Sequence, residues 1–261
     1  MKNRKKLVAL IMVLALALTT LVGGTLAYFT DNDEEANVFT MGNVEIDLQE
    51  DFDQNSNLQP GVDVTKRVRV QNTGSNDAYV RVHIAIPTVM DDGNPNFDAS
   101  KNFLHFNFSS NSVVDGQWSW LPEYTTGTGY KGNGEGNWNF YETTIDGTEY
   151  NVYVVTYRSA LASGEITGTD VIDKVYLDTS VNAIATKAKD ENNEDKVVSY
   201  TYFDDKGNEF TLTAEEASNI KILIVAEGAQ TATFENAYDA LNTAFGVPSA
   251  AANPWNNYGN P

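Results

Sequence analysis

The stretch QPGVDVTKRVRVQNTGSNDAYVRVHI, Gln59 to Ile84, decides the fold class. Val62, Val64, Val68 and Val70 alternate with Asp63, Thr65, Arg67 and Arg69. That period of two gives a strand with one apolar and one wet face. Lys66 falls on the apolar side, which places the strand at a sheet edge there. Asn72 to Ser75 supplies a turn. Ala78, Val80, Val82, Ile84 and Ile86 then line one face of the returning strand, with Tyr79, Arg81 and His83 on its polar face, and Pro87 ends it.

Towards the N-terminus the pattern changes character. Lys2, Arg4, Lys5 and Lys6 precede an apolar run from Leu7 to Val22 and a small-x-small triplet, Thr25-Leu26-Ala27. This is the grammar of a secretory signal peptide, with cleavage expected between Ala27 and Tyr28. A retained anchor is the competing reading, because the run is close to the roughly 17 to 25 residues that span a bilayer. Next come Tyr28 and Phe29, an acidic cluster of Asp31, Asp33, Glu34 and Glu35, then Val38, Phe39 and the alternation Val44, Ile46, Leu48.

Towards the C-terminus the pattern loosens from about residue 90 to 163, and this stretch reads as a loop-rich insertion decorating one end of a β domain. Phe103 to Phe108 is a short strand candidate, and Trp118, Trp120 and Trp138 cluster nearby. The run Gly127 to Gly136 lacks the Lys-Ser/Thr ending of a phosphate loop and reads as a connector. Asp146-Gly147 between Trp138–Ile145 and Thr148–Tyr157 signals a hairpin. Val171 to Thr179 resumes strand pattern, Lys187 to Lys196 reads as a solvated charged loop, and a second hairpin turns at Lys206-Gly207-Asn208. Thr213 to Glu216 has capping-box form. Ile220 to Ala226 is nearly all apolar, which predicts a central strand buried on both faces. Phe234, Ala237, Tyr238, Leu241, Ala244 and Phe245 recur at helical spacing, with Thr233 to start that helix and Gly246 and Pro248 to stop it. Residues 247–261 read as an irregular tail.

Composition excludes several functions. The formal charge is -19, and four of the 17 basic residues lie in the leader, so a processed chain carries 13 against 36 acids. Such an excess repels phosphate backbones and argues against nucleic-acid binding. Cysteine is absent, so there is no disulfide and no thiolate nucleophile. The two histidines, His83 and His105, do not form H-E-x-x-H, and each reads as a surface or packing residue. No G-x-S-x-G elbow occurs. Asp51, Asp53 and Asn55 begin a calcium loop, but Ser56 and Val62 stand where glycine and glutamate are needed. The acidity leaves room for weak calcium binding with no site assigned. No catalytic, cofactor or metal residue is assigned on these grounds.

The string A-Y-F-T-D followed by N-x-F-T-x-G-x-V-x-I-x-L, Ala27 to Leu48, resembles the start of the TasA/camelysin family of secreted Gram-positive proteins with a SipW-type signal peptide. Gln59 to Ile84 and Ala226 to Gly246 are similar to two further blocks of that family. The resemblance implies a mainly β, jelly-roll-like sandwich over residues 28–246 with a few short helices. It also implies a secreted structural protein of the biofilm matrix or cell surface. Such a protein forms a homopolymer, with or without an accessory matrix protein, after processing by a SipW-type signal peptidase. Residues Tyr28, Phe29, Val38, Phe39, Val44, Ile46 and Leu48 would then form the strand donated to a neighbour. Two alternatives are a camelysin-like surface metallo-endopeptidase, the one reading that needs zinc, and a monomeric wall-binding or glycan-binding adhesin using Trp118, Trp120 and Tyr130.

Overall fold

The computed structural model describes residues 43–52, 58–91, 102–108, 112, 114–124, 138–218 and 220–258. The expected signal peptide, its cleavage site at Ala27 and Tyr28, and Phe29, Val38 and Phe39 lie outside the described residues. In chain order the strands are β1 (Ile46–Phe52), β2 (Val64–Asn72), β3 (Ala78–Pro87), β4 (Leu104–Phe108), β5 (Trp118–Ser119), β6 (Phe140–Ile145), β7 (Thr148–Tyr157), β8 (Ile172–Leu177), β9 (Asn182–Lys189), β10 (Asp195–Phe203), β11 (Glu209–Thr213) and β12 (Leu223–Gln230). Three short helices follow β11 and β12: α1 (Ala214–Ser218), α2 (Ala237–Phe245) and α3 (Trp255–Tyr258). The protein is mainly β, as the alternation predicts.

One sheet has the order β1-β2-β8-β4 and a second β12-β3-β7-β5, with β6 also on β7. All pairings within them are antiparallel. Their inner faces share one core. Val64, Val68 and Val70 of β2 and Ile172 and Val175 of β8 meet Val80, Val82, Ile84 and Ile86 of β3 and Tyr153 and Val155 of β7. The alternating valines of the opening stretch therefore do what their period implies: they fill the interior of a two-sheet sandwich.

Local signals position these strands. Asp146 and Gly147 both have positive φ, 50° and 82°, as a two-residue hairpin turn between β6 and β7 requires. The capping box forms: the Thr213 N–H donates to Glu216 Oε2 at 2.8 Å and the Glu216 N–H donates to Thr213 Oγ1 at 3.1 Å. Gly246 ends α2 with φ 84°. That helix begins later than expected. Its cap is Asn236, whose side chain accepts from the Asp239 N–H, and Thr233 stands before it at φ 77°.

Four expectations need correcting. The 90–163 stretch is not mere decoration, because β7 pairs with β3 inside the second sheet and Val152, Val154 and Val155 are fully buried. Lys187 to Lys196 is no loop: it contributes to β9 and β10, joined by a turn in which Asp190 Oδ1 accepts the N–H groups of Asn192 and Glu194. The apolar run at 220–226 leads into β12, which is an edge strand and half-buried rather than central. Lys66 lies on a strand flanked by β1 and β8, not at an edge, and is buried.

The two sheets meet along one flank, where β1 and β12 are both edge strands. That seam is tight at one end. A Cβ on Gly228 would lie 2.8 Å from Ile46 Cγ2 and 3.3 Å from Val44 Cγ1, so only glycine lets β1 sit there. Gly228→Val should lower stability by about 1–3 kcal/mol through overpacking. Hydrogen exchange of residues 44–52 should accelerate relative to β3, and unchanged protection there would mean that Gly228 does not seat β1.

Candidate functional site

At the opposite end of the same seam the sheets part. Between them opens a cleft of about 980 Å³ lined by Phe52 of β1, Val64 and Lys66 of β2, Leu177 of β8, Phe210 of β11 and Leu223 of β12, among others. Its lining is predominantly apolar side chains, as in sites that take up large hydrophobic groups. The third sheet, of order β11-β10-β9, forms one wall, with Tyr202 and Phe210 stacked at 5.0 Å and Phe103 edge-on to Phe210 at 4.6 Å.

That wall is pinned by Asp178, just after β8. Its carboxylate accepts from the Ser180 hydroxyl at 2.6 Å, lies 2.9 Å from His105 Nε2 and 3.3 Å from Lys206 Nζ. Burial works to raise its pKa, but the hydrogen bonds from Ser180, His105 and Lys206 win and hold the carboxyl well below the usual range. Asp178 thus ties β4, through His105, to the β10–β11 turn, through Lys206.

Among the described residues the charged groups lining the cleft are Glu50, Lys66 and Lys221. Lys66 is 3% exposed; its ammonium pairs with Glu50 and lies 4.5 Å from the centre of the Phe52 ring. Alternation put a lysine on an apolar face, and the cleft is where that anomaly resolves.

A second polar cluster lies on the outer face of β3, the face expected to be wet. His83 is 0% exposed there. Its Nε2 is 3.0 Å from Glu227 Oε2 and its Nδ1 3.1 Å from the Tyr141 hydroxyl. A carboxylate only accepts, so Nε2–H donates to Glu227 and Nδ1 accepts from Tyr141. Arg81 Nε donates to the same Glu227 oxygen at 2.5 Å, and its Nη1 donates to Asn242 Oδ1 and to the Gly246 carbonyl. Burial lowers the His83 pKa, with the Arg81 charge adding to it against the pull of Glu227. Burial also opposes ionisation of Glu227, yet His83 and Arg81 hold its carboxyl below the ordinary value. Helix α2 and the segment ending in Trp255 close this face, with Trp255 edge-on to His83 at 6.3 Å. The expectation of a wet face fails because this third layer is contributed from more than 140 residues downstream.

Neither histidine suits a zinc ion. Both His83 nitrogens are engaged, and Arg81 places a positive charge on the same carboxylate. His105 sits on the other sheet, against an aspartate already shared with Ser180 and Lys206. Among the described residues no group of three His, Cys, Asp or Glu could hold a metal. The aromatic platform of the adhesin alternative is also missing in part, since Trp118 and Trp120 are 1% and 0% exposed and belong to the core; Tyr130 lies outside the described residues.

The expected donor residues divide. Ile46 and Leu48 lie on β1 of this chain's own sheet, packed against its core, and Val44 precedes them. The others lie outside the described residues. Asn43 is held at the tight end of the seam, where its carbonyl accepts from the Ser75 N–H and its N–H donates to Ser75 Oγ. The cleft itself was not legible in the sequence; Lys66 on an apolar face was the one signal of it.

Among the described residues no helix is long and apolar enough to cross a membrane. The family model described as camelysin metallo-endopeptidase matches residues 2–114. Comparison with curated proteins and with solved structures gives no match.

Proposed function

We propose, from the match of residues 2–114 to the camelysin family model and the resemblance of three sequence blocks to the TasA/camelysin family, that this chain is a secreted structural protein whose processed form assembles into extracellular matrix fibres. The N-terminal segment of one copy would enter the seam of the next. One observation carries this reading. The chain joins the domain at Asn43, at the tight end of the β1–β12 seam, whereas the cleft lies at the other end, beside Phe52 and Lys66.

A donor leaving at one pole and an acceptor opening at the other make a heterologous contact, which repeats without closing and so gives a filament. Among the described residues both flanking strands, β1 and β12, are sheet edges with one row of backbone groups unpaired by the sheets. An extended segment could satisfy those groups by strand addition. The donated part would be the residues before Asn43, including Tyr28, Phe29, Val38 and Phe39, while Val44, Ile46 and Leu48 remain seated in their own sheet. Removal of the leader by a signal peptidase would free that segment. An accessory matrix protein could cap or nucleate the polymer.

Protein beginning at Tyr28 should form filaments in negative-stain images, and protein lacking residues 28–40 should stay monomeric under the same conditions. Equal polymerisation of the two would sink the proposal. The peptidase reading rests on the description of the matched family alone, and the described histidines do not serve it.

A further inference from the structure

The cleft contains a cation that its own surroundings only partly satisfy. Lys66 sits at an inward position of β2 between Val64 and Val68, both buried, with its side chain 4% exposed. An ammonium has three N–H donors. Among the described residues Glu50 is the one acceptor the structure gives it, and the Phe52 ring covers another side. A buried charge so placed costs free energy unless further hydrogen bonds reach it. Lys221, also on the cleft lining, adds a second positive charge, and among the described lining residues Glu50 is the one negative charge. The described lining is therefore net positive in a chain whose formal charge is -19.

We infer that Lys66 is the anchor that sets the register of an incoming N-terminal segment of a second copy, by taking a carboxylate from its acidic cluster Asp31, Asp33, Glu34 and Glu35. This rests on the fibre reading above and adds to it what the cleft recognises. The segment has matching chemistry: acids flanked by Tyr28 and Phe29 on one side and by Val38 and Phe39 on the other, for a cleft with apolar walls around a buried ammonium. Its reach also suffices. Residues 28–42 extend to about 50 Å at about 3.3 Å per residue, more than twice the length of β1.

Charge pairing also explains how a chain this acidic joins its own copies. Without such a pair the self-repulsion of like-charged molecules opposes association. With it, each junction brings acids to a lysine, and misregistered insertion leaves the ammonium unpaired against an apolar wall.

The test uses protein beginning at Tyr28 and follows filament growth by light scattering. Lys66→Met keeps the stem and removes the charge; a fourfold variant, D31N/D33N/E34Q/E35Q, leaves every described residue untouched. Each should slow growth by about tenfold or more, the usual scale for losing a charge-assisted hydrogen bond. The combined variant should grow no more slowly than either alone. Rising salt screens the general self-repulsion in both proteins but the Lys66 pairing in the parent alone, so the rate advantage of the parent over the fourfold variant should shrink as salt rises. If Lys66→Met does not fold, the fourfold variant and the salt series decide alone. Parental growth of the fourfold variant, while deletion of residues 28–40 still abolishes filaments, overturns the anchor and leaves the fibre reading standing. Faster growth of the fourfold variant also overturns it, by showing that the acids hinder insertion.

Discussion

Glu227→Ala lowers the stability of the folded domain by about 3–5 kcal/mol, the scale for removing one partner of a buried ion pair. Among the described residues Glu227 is the one anion paired with Arg81 and His83, each of which meets its Oε2. Without it, the Arg81 guanidinium stays under α2 with only neutral acceptors, Asn242 Oδ1 and the Gly246 carbonyl. His83 loses the acceptor for Nε2–H. The measurement is urea unfolding followed by circular dichroism, where the midpoint should fall with the slope unchanged. A control separates desolvation from pairing: Arg81→Leu combined with Glu227→Leu should cost much less than Glu227→Ala, because it leaves no orphaned charge. A loss below about 1 kcal/mol for Glu227→Ala would show that water reaches the cluster.

How much of this could be read beforehand depends on the range of the interaction that fixes each element. The β2 and β3 alternation, the Asp146-Gly147 turn, the capping box at Thr213 and Glu216 and the stop at Gly246 are all set by neighbours in sequence, and each formed. Their chemistry is complete within a few residues. The outer face of β3 failed for the opposite reason. Arg81 and His83 look like solvated residues until Glu227 on β12 and the helix after it cover them, and no local pattern records that pairing.

The strand β9 misled for a different reason. Its eight residues are all exposed, so it has no buried face to impose a period of two, and pairing with β10 alone holds it. The run before β12 shows the reverse error. Continuous apolar sequence suggested a central strand, whereas Ile220, Ile222 and Leu223 line an open cleft and Ile224, Val225 and Ala226 are half-buried against the two neighbouring clusters at a sheet edge. Apolarity that belongs to a site cannot be distinguished in sequence from apolarity that belongs to a core.

The C-terminal segment gives the second large effect. Residues 247–261 read as an irregular tail, yet Trp255 is 4% exposed and packs with Tyr141, Ile145, Tyr150, Val152 and Val154 on the outside of the second sheet. Asn253 is buried beside it, donating to Thr143 Oγ1 at 3.0 Å and accepting from the Trp255 N–H at 3.1 Å. Trp255→Ala should therefore lower stability by about 3–5 kcal/mol, as large aromatic truncations in cores do. The loss should be local before it is global: hydrogen exchange of residues 249–256 should rise well ahead of β3. Trp255→Phe should cost about 1 kcal/mol, because the indole N–H is buried without a partner among the described residues and its removal sacrifices no hydrogen bond. If Trp255→Ala instead unfolds at the parental urea concentration, the segment is not a working layer of the fold, and the burial of His83 must then be maintained by α2 and β6 without it.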